Sequence, residues 1–166
     1  MYDKYKIIER DARKYLDFNE LSPPVNLDYI VNKEGITLIQ RPMQKKSAML
    51  IKSGPHKLLC VNSRQSLGQK RFNVAHELAH HLLAHKGDVF ISKINGEPRM
   101  KSEQDRQADI FASELLIPTT TLKRKIYNYD LSLRELARFF KVTGQALETK
   151  LNVKRLPLKK AKKFTL

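Results

Sequence analysis

The segment VAHELAHHLLAH, from Val74 to His85, contains four of the chain's five histidines and places Glu77 directly after the first of them. His76 and His80 are four residues apart, so in an α-helix their side chains lie on one face, one turn apart. Two imidazoles at this spacing can reach a single zinc ion at about 2.0–2.1 Å. Glu77, rotated by one residue, is then placed to act as a general base on an attacking water. This is the geometry of the HExxH motif of metallopeptidases.

Another interpretation of His76 and His80 stays open at this point. Histidines packed in a core can be satisfied by hydrogen bonds without any metal. His76 and His80 are expected to face inward, because they lie on or beside an apolar stripe of the same helix. That stripe comprises Phe72, Ala75, Ala79 and Leu83. His81 and His85 point away from this face in a regular helix, so we expect both at the surface or its edge.

A zinc ion held by two histidines needs a third protein ligand, which leaves the fourth position for water. The segment SEQDRQADIFASELLIP predicts a second helix, in which Asp105 and Asp109 share a stripe with small and apolar residues. Inward carboxylates need a cation or a donor, so Asp105 is the candidate ligand. Asp109, one turn on, is the candidate to accept the outer N–H of a ligating histidine. Alternatively, both are acidic residues that favour a helix N-terminus, a role that suits Glu103 better.

The elements that must position these residues follow from changes in hydrophobic period. The apolar runs ITLIQ, SAMLIK and KLLCVN, separated by Pro42 and SGPH, predict a small antiparallel or mixed sheet between residues 36 and 62. Helical periodicity precedes and follows these runs. We therefore expect an α+β fold, predominantly helical, with the sheet packed on the histidine helix. A first domain is predicted over residues 1–118, followed by a helical unit with a basic tail over residues 119–166.

Composition narrows the class of protein. The chain has 166 residues, a net charge of +15 and a single cysteine, Cys60, which excludes a disulfide framework. Basic residues accumulate from Arg41 to Arg71, and no acidic residue lies between Gly35 and His76. Such a surface suits nucleic acid or an acidic protein, although a merely solvated face is equally compatible. No apolar stretch approaches the roughly 20 residues of a membrane span, so we expect a cytoplasmic monomer.

Three segments of the chain resemble the ImmA/IrrE family of metallopeptidases. VNSRQSLGQKRFNVAHELAHHLLAH is similar to the family's strand and HExxH helix, and QADIFASELLIP is similar to its second helix. LRELARFFKVTGQALETKL, from Leu133 to Leu151, resembles its C-terminal helical region. The resemblance runs through nearly the whole sequence.

The resemblance implies a zincin-like, zinc-dependent endopeptidase that cleaves a helix-turn-helix repressor of phage or mobile-element type. His76 and His80 would be metal ligands and Glu77 the base. The family usually has a glutamate as the third ligand, and here Asp105 occupies that position. The shorter side chain means that the two helices lie closer, that the metal binds more weakly, or that Glu103 reaches in instead.

A second function is suggested by the C-terminal segment LSLRELARFFKVTGQALETKL, which has the pattern of a helix-turn-helix. The alternative is therefore a DNA-binding or repressor-binding regulator with a non-catalytic metal site. A recognition helix should offer side chains to base edges and phosphates. TGQALETK offers Gln145 and Lys150 beside an unfavourable Glu148, so a packing or partner-docking role is the favoured interpretation of this segment.

Overall fold

The computed structural model describes residues 2–93 and 102–158, which form seven helices and one four-stranded sheet. The first half comprises α1 (Tyr2–Phe18), α2 (Leu27–Lys33), β1 (Thr37–Arg41), β2 (Lys46–Ser53) and β3 (His56–Asn62). The second half comprises α3 (Leu67–Leu82), β4 (Val89–Lys93), α4 (Glu103–Leu116), α5 (Thr119–Asn128), α6 (Leu133–Phe140) and α7 (Gly144–Lys154). The predicted α+β class is confirmed. Residues 94–101 and the end of the basic tail, residues 159–166, lie outside the described residues.

The sheet has the strand order β1-β3-β2-β4 and is mixed. β2 pairs antiparallel with both β3 and β4, whereas β1 pairs parallel with β3. The β2–β3 hairpin turns tightly through Gly54, whose φ of +56° is a conformation that glycine adopts without strain. Because this hairpin occupies one side of β3, β1 pairs along its other side. β4 forms the edge of the sheet beside β2.

Helix α3, which carries the histidines, lies between the sheet and α4. It begins at a capping box in which Ser66 and Gln69 satisfy each other's backbone N–H groups. It packs on β2 and β3 with one face and on α4 with another, and α1 covers α4. Residues 74–80 are all buried as a result. No helix among the described residues is both long and apolar enough to cross a membrane.

The C-terminal helices are joined to α4 by a buried ionic network centred on Glu114. Its carboxylate is fully buried and accepts hydrogen bonds from Lys150 (2.5 Å), Arg13 (2.9 Å) and the Thr119 hydroxyl (2.7 Å). Burial acts to raise the pKa of Glu114, but the charge and hydrogen bond of Lys150 outweigh it and the pKa is lowered. The predicted boundary at residue 118 therefore runs through a connected core. The division into two domains stays a prediction.

Glu114→Gln is expected to destabilise the fold by about 3–5 kcal/mol, because it strands the buried ammonium group of Lys150. Lys150→Met should cost less, since Glu114 keeps Arg13 and Thr119 as partners. Thermal unfolding of both variants measures the difference. An equal loss in the two variants would contradict this asymmetry.

Candidate metal centre

Three side chains from two helices converge at the interface of α3 and α4. His76 and His80 come from α3 and Asp105 from the first turn of α4. The two Nε2 atoms are 3.1 Å apart, and Nε2 of His80 is 3.5 Å from Oδ1 of Asp105. One ligand atom from each residue lies within 4.8 Å of the others. Donor atoms about 2.0–2.2 Å from a tetrahedral zinc ion are separated by about 3.4 Å, which the separations of 3.1 and 3.5 Å match.

The protonation of these groups also suits a divalent cation. Burial and the neighbouring imidazoles of His76 and His85 lower the pKa of His80 to about 3, so its ring is neutral near pH 7. Burial acts to raise the pKa of Asp105, but hydrogen bonds from Ser102 outweigh it and keep the carboxylate ionised. A set of neutral imidazoles and one carboxylate is a common donor set for zinc.

Asp109 lies one turn beyond Asp105 and contacts the other histidine. Its Oδ1 is 2.8 Å from Nδ1 of His76. A carboxylate only accepts hydrogen bonds, so Nδ1 of His76 carries a proton, and in the neutral ring Nε2 presents its lone pair. This is the contact that the sequence predicted for Asp109.

Helical periodicity predicted that His85 lies at the surface or its edge, but the structure buries it. It is 7% exposed, and its Nδ1 is 2.9 Å from Nδ1 of His80. The cause is that α3 ends at Leu82 and Ala84 adopts a left-handed conformation, with φ of +51°. The backbone N–H of His85 donates to the carbonyl of His80 across this turn, which brings the side chain back over the helix.

His81, the other histidine expected at the surface or edge, is partly exposed and lies 3.2 Å from a carboxylate oxygen of Glu34. It takes no part in the triangle of ligand atoms.

Glu77 is fully buried next to the candidate ligands. Its Oε1 accepts a hydrogen bond from the hydroxyl of Ser92 on β4, at 2.8 Å, while its Oε2 has no hydrogen-bond partner among the described residues. Burial raises the pKa of this carboxyl, although His76 and Ser92 act in the opposite direction. A buried carboxylate oxygen without a hydrogen bond lowers the stability of the fold unless a donor, such as a water or a substrate group, binds to it. The arrangement therefore suits a general base.

Glu103, the alternative to Asp105, is directed to other partners. Its carboxylate accepts a hydrogen bond from the amide of Gln107 at 3.2 Å and forms ion pairs with Lys4 and Arg106. These hydrogen bonds, with Gln107 the largest contributor, lower its pKa. It is not among the grouped ligand atoms. In this structure the helix register brings Asp105 to the histidines.

A cleft of about 1200 Å³ adjoins the centre. Asp109 lines it, together with other residues of α3, α4 and α7 and of the loops before β2 and α3. Buried Asn62 fixes the first of these loops through hydrogen bonds to the backbone of Met43 and Lys46. The cleft exceeds the usual volume of a small-molecule pocket, so it has room for a peptide segment.

The decisive comparison is with a family model described as an IrrE N-terminal-like domain, which matches residues 31–152. The chain belongs to the ImmA/IrrE family of metallopeptidases. A curated relative within this family, metallopeptidase ImmA of Bacillus subtilis (strain 168), is 28% identical over 93 residues. The match covers 55% of this chain and 54% of the relative. The resemblance stated from the motifs is thus confirmed.

A solved structure, a Mycobacterium tuberculosis transcriptional regulator, superposes with a TM-score of 0.62 at 16% identity. The superposition covers 97% of this chain and 51% of that chain. At this identity the likeness concerns the fold alone. The ImmA/IrrE chain described here spans about half the length of both relatives.

Proposed function

We propose that this protein is a zinc-dependent endopeptidase that cleaves a helix-turn-helix transcriptional repressor of phage or mobile-element type, thereby relieving repression. The observation that carries the peptidase proposal is the convergence of His76, His80 and Asp105 beside a buried glutamate with one unpaired oxygen. Membership of a metallopeptidase family supports it. The proposal that the substrate is a repressor rests on the resemblance to the ImmA/IrrE family and on a cleft large enough for a peptide.

In this proposal His76, His80 and Asp105 hold the ion. Zinc held there would supply Lewis acidity for the scissile carbonyl and for the attacking water. Glu77 accepts a proton from the attacking water through Oε2 and delivers it to the leaving amide nitrogen as the C–N bond breaks. The hydroxyl of water is thereby added to the carbonyl carbon and the proton to the amine. Ser92 holds the other carboxylate oxygen and so fixes the rotation of Glu77.

The charges beside the cleft favour an acidic substrate segment. Lys45, Arg64 and Lys93 line the cleft, and in the described part of the chain no ion pair of their side chains is seen. Two further lysines in the lining, Lys150 and Lys154, are paired with Glu114 and Glu9. Unpaired cations at a binding surface steer and select acidic partners.

The test is incubation of the zinc-loaded protein with a repressor encoded by the same genetic element. We expect two fragments from a single cut, identified by mass spectrometry, and no cut after zinc is removed with a chelator. An unrelated unfolded protein serves as a control for selectivity. If no such repressor is cut, the substrate proposal is wrong.

The regulator hypothesis predicts a different result, namely salt-sensitive binding of the chain to duplex DNA that is indifferent to zinc removal. Tight duplex binding together with absent proteolysis would favour it over the endopeptidase.

A further inference from the structure

His80 and its neighbours form a chain of hydrogen bonds that begins at Glu103 on α4. The amide nitrogen of Gln107 donates to Oε1 of Glu103 at 3.2 Å, which turns the amide oxygen of Gln107 toward His85. That oxygen is 3.0 Å from Nε2 of His85. An amide oxygen only accepts hydrogen bonds, so Nε2 of His85 must carry its proton.

The tautomer of His85 then determines that of His80. With its proton on Nε2, a neutral His85 has a lone pair on Nδ1, which lies 2.9 Å from Nδ1 of His80. A hydrogen bond between two ring nitrogens has one donor and one acceptor, and here Nδ1 of His85 is the acceptor. Nδ1 of His80 must therefore be the donor, and its Nε2 is left with a lone pair.

The neutral ring of His76 has the same arrangement, because its Nδ1–H donates to Asp109 and its Nε2 keeps a lone pair. Two lone pairs thus face each other at 3.1 Å between Nε2 of His76 and Nε2 of His80. Such an arrangement is repulsive unless a cation or a proton lies between the two nitrogens. The hydrogen bonds around the histidines therefore prepare both rings for a cation.

We propose that His85 is a positioning residue for the metal centre. It accepts the Nδ1–H of His80, and its own ring is held by a hydrogen bond to Gln107. This rests on the proposed zinc site. Outer hydrogen-bond partners of this kind fix the orientation of a ligating imidazole and raise its basicity. His85 accepts the Nδ1–H of His80, just as Asp109 accepts the Nδ1–H of His76, but the acceptor atom of His85 is a ring nitrogen rather than a carboxylate oxygen. His85 supplies no ligand atom itself.

The position of His85 is itself held by several contacts. Its ring is edge-on to that of His80, with centroids 4.9 Å apart, and the ring of His80 stacks on Phe90 of β4 at 4.3 Å. Its backbone carbonyl accepts a hydrogen bond from Lys52 at 3.1 Å. The acceptor is therefore presented by a packed turn rather than by a free side chain.

The experiment compares variants of the full chain by zinc titration against a chromophoric chelator. His85→Phe keeps a ring but removes the acceptor, and zinc affinity is expected to fall by about 10- to 100-fold. His85→Gln supplies an amide oxygen in its place and should recover most of the affinity. Gln107→Leu, which releases His85, should cause a smaller loss. His81→Phe is the matched control and should leave affinity unchanged, because His81 contacts Glu34 and not His80.

A second measurement separates positioning from mere folding. In cobalt-substituted protein, the visible spectrum should show a changed coordination geometry in His85→Phe and the wild-type geometry in His85→Gln. Wild-type zinc affinity in a folded His85→Phe variant would overturn the proposal. If His85→Phe fails to fold, the other two variants decide. The proposal is then overturned if Gln107→Leu binds zinc with wild-type affinity and His85→Gln does not recover the affinity. Absence of zinc binding by the wild-type chain would instead refute the proposed function.

Discussion

Replacing Glu77 by glutamine is expected to reduce proteolysis by at least about 10²- to 10⁴-fold, the range typical of a lost general base. Glutamine keeps the size of the side chain and can still accept the hydrogen bond from Ser92. It cannot accept a proton from water at neutral pH. Zinc affinity should stay close to wild type, because Glu77 is not among the grouped ligand atoms.

The stability of this variant provides an independent check. Because the Glu77 side chain is fully buried, its charged form is disfavoured in the fold, as the raised pKa indicates. A neutral amide removes that penalty, so the midpoint of thermal unfolding is expected to be unchanged or higher. Ser92→Ala is a milder companion variant, expected to lose less activity while keeping the base. Proteolysis at the wild-type rate by folded, zinc-loaded Glu77→Gln would remove Glu77 from its role.

The spacing of residues along the sequence predicted those parts of the site that lie within regular helices. Because residues four apart in a helix share a face, the spacing of His76 and His80 placed their rings together, and the structure brings their Nε2 atoms to 3.1 Å. The same logic put Asp105 and Asp109 on one stripe of α4. The α+β class followed similarly from the change between strand and helix periods.

Residues outside regular helices could not be placed in this way. His85 was projected along a continuing helix, but α3 ends at Leu82, three residues earlier, and a left-handed Ala84 follows. Glycine is the usual signal for such an ending, and this turn has none. Ser92 lies on an edge strand whose pairing with β2 depends on long-range contacts. No local pattern ties that serine to Glu77, so only the assembled sheet reveals the contact.

The second large effect is expected at Asp105, the position where this chain carries aspartate and its family usually glutamate. Asp105→Ala should lower zinc affinity by more than the about 10- to 100-fold expected for Asp109→Ala, which loses only an outer partner of His76. Two neutral imidazoles alone leave the ion without a charge-compensating carboxylate. Glu103→Ala should have the smallest effect, because its carboxylate contacts Gln107, Lys4 and Arg106. Zinc titration of the three variants in one buffer measures the order.

Asp105 also caps the N-terminus of α4, so a control variant must separate the loss of this cap from the loss of a metal ligand. Its Oδ2 accepts hydrogen bonds from the backbone N–H of Ser102 at 3.0 Å and from the Ser102 hydroxyl at 2.7 Å, while Oδ1 faces His80. Asp105→Asn keeps an acceptor for the cap but removes the charge, so it should preserve helix stability and still bind zinc poorly. Asp105→Glu restores both, since glutamate suits this position of a capping box. If Glu103→Ala proved the most damaging change, the carboxylate nearest the zinc would be Glu103, and both the ligand assignment and the register of α4 would be wrong.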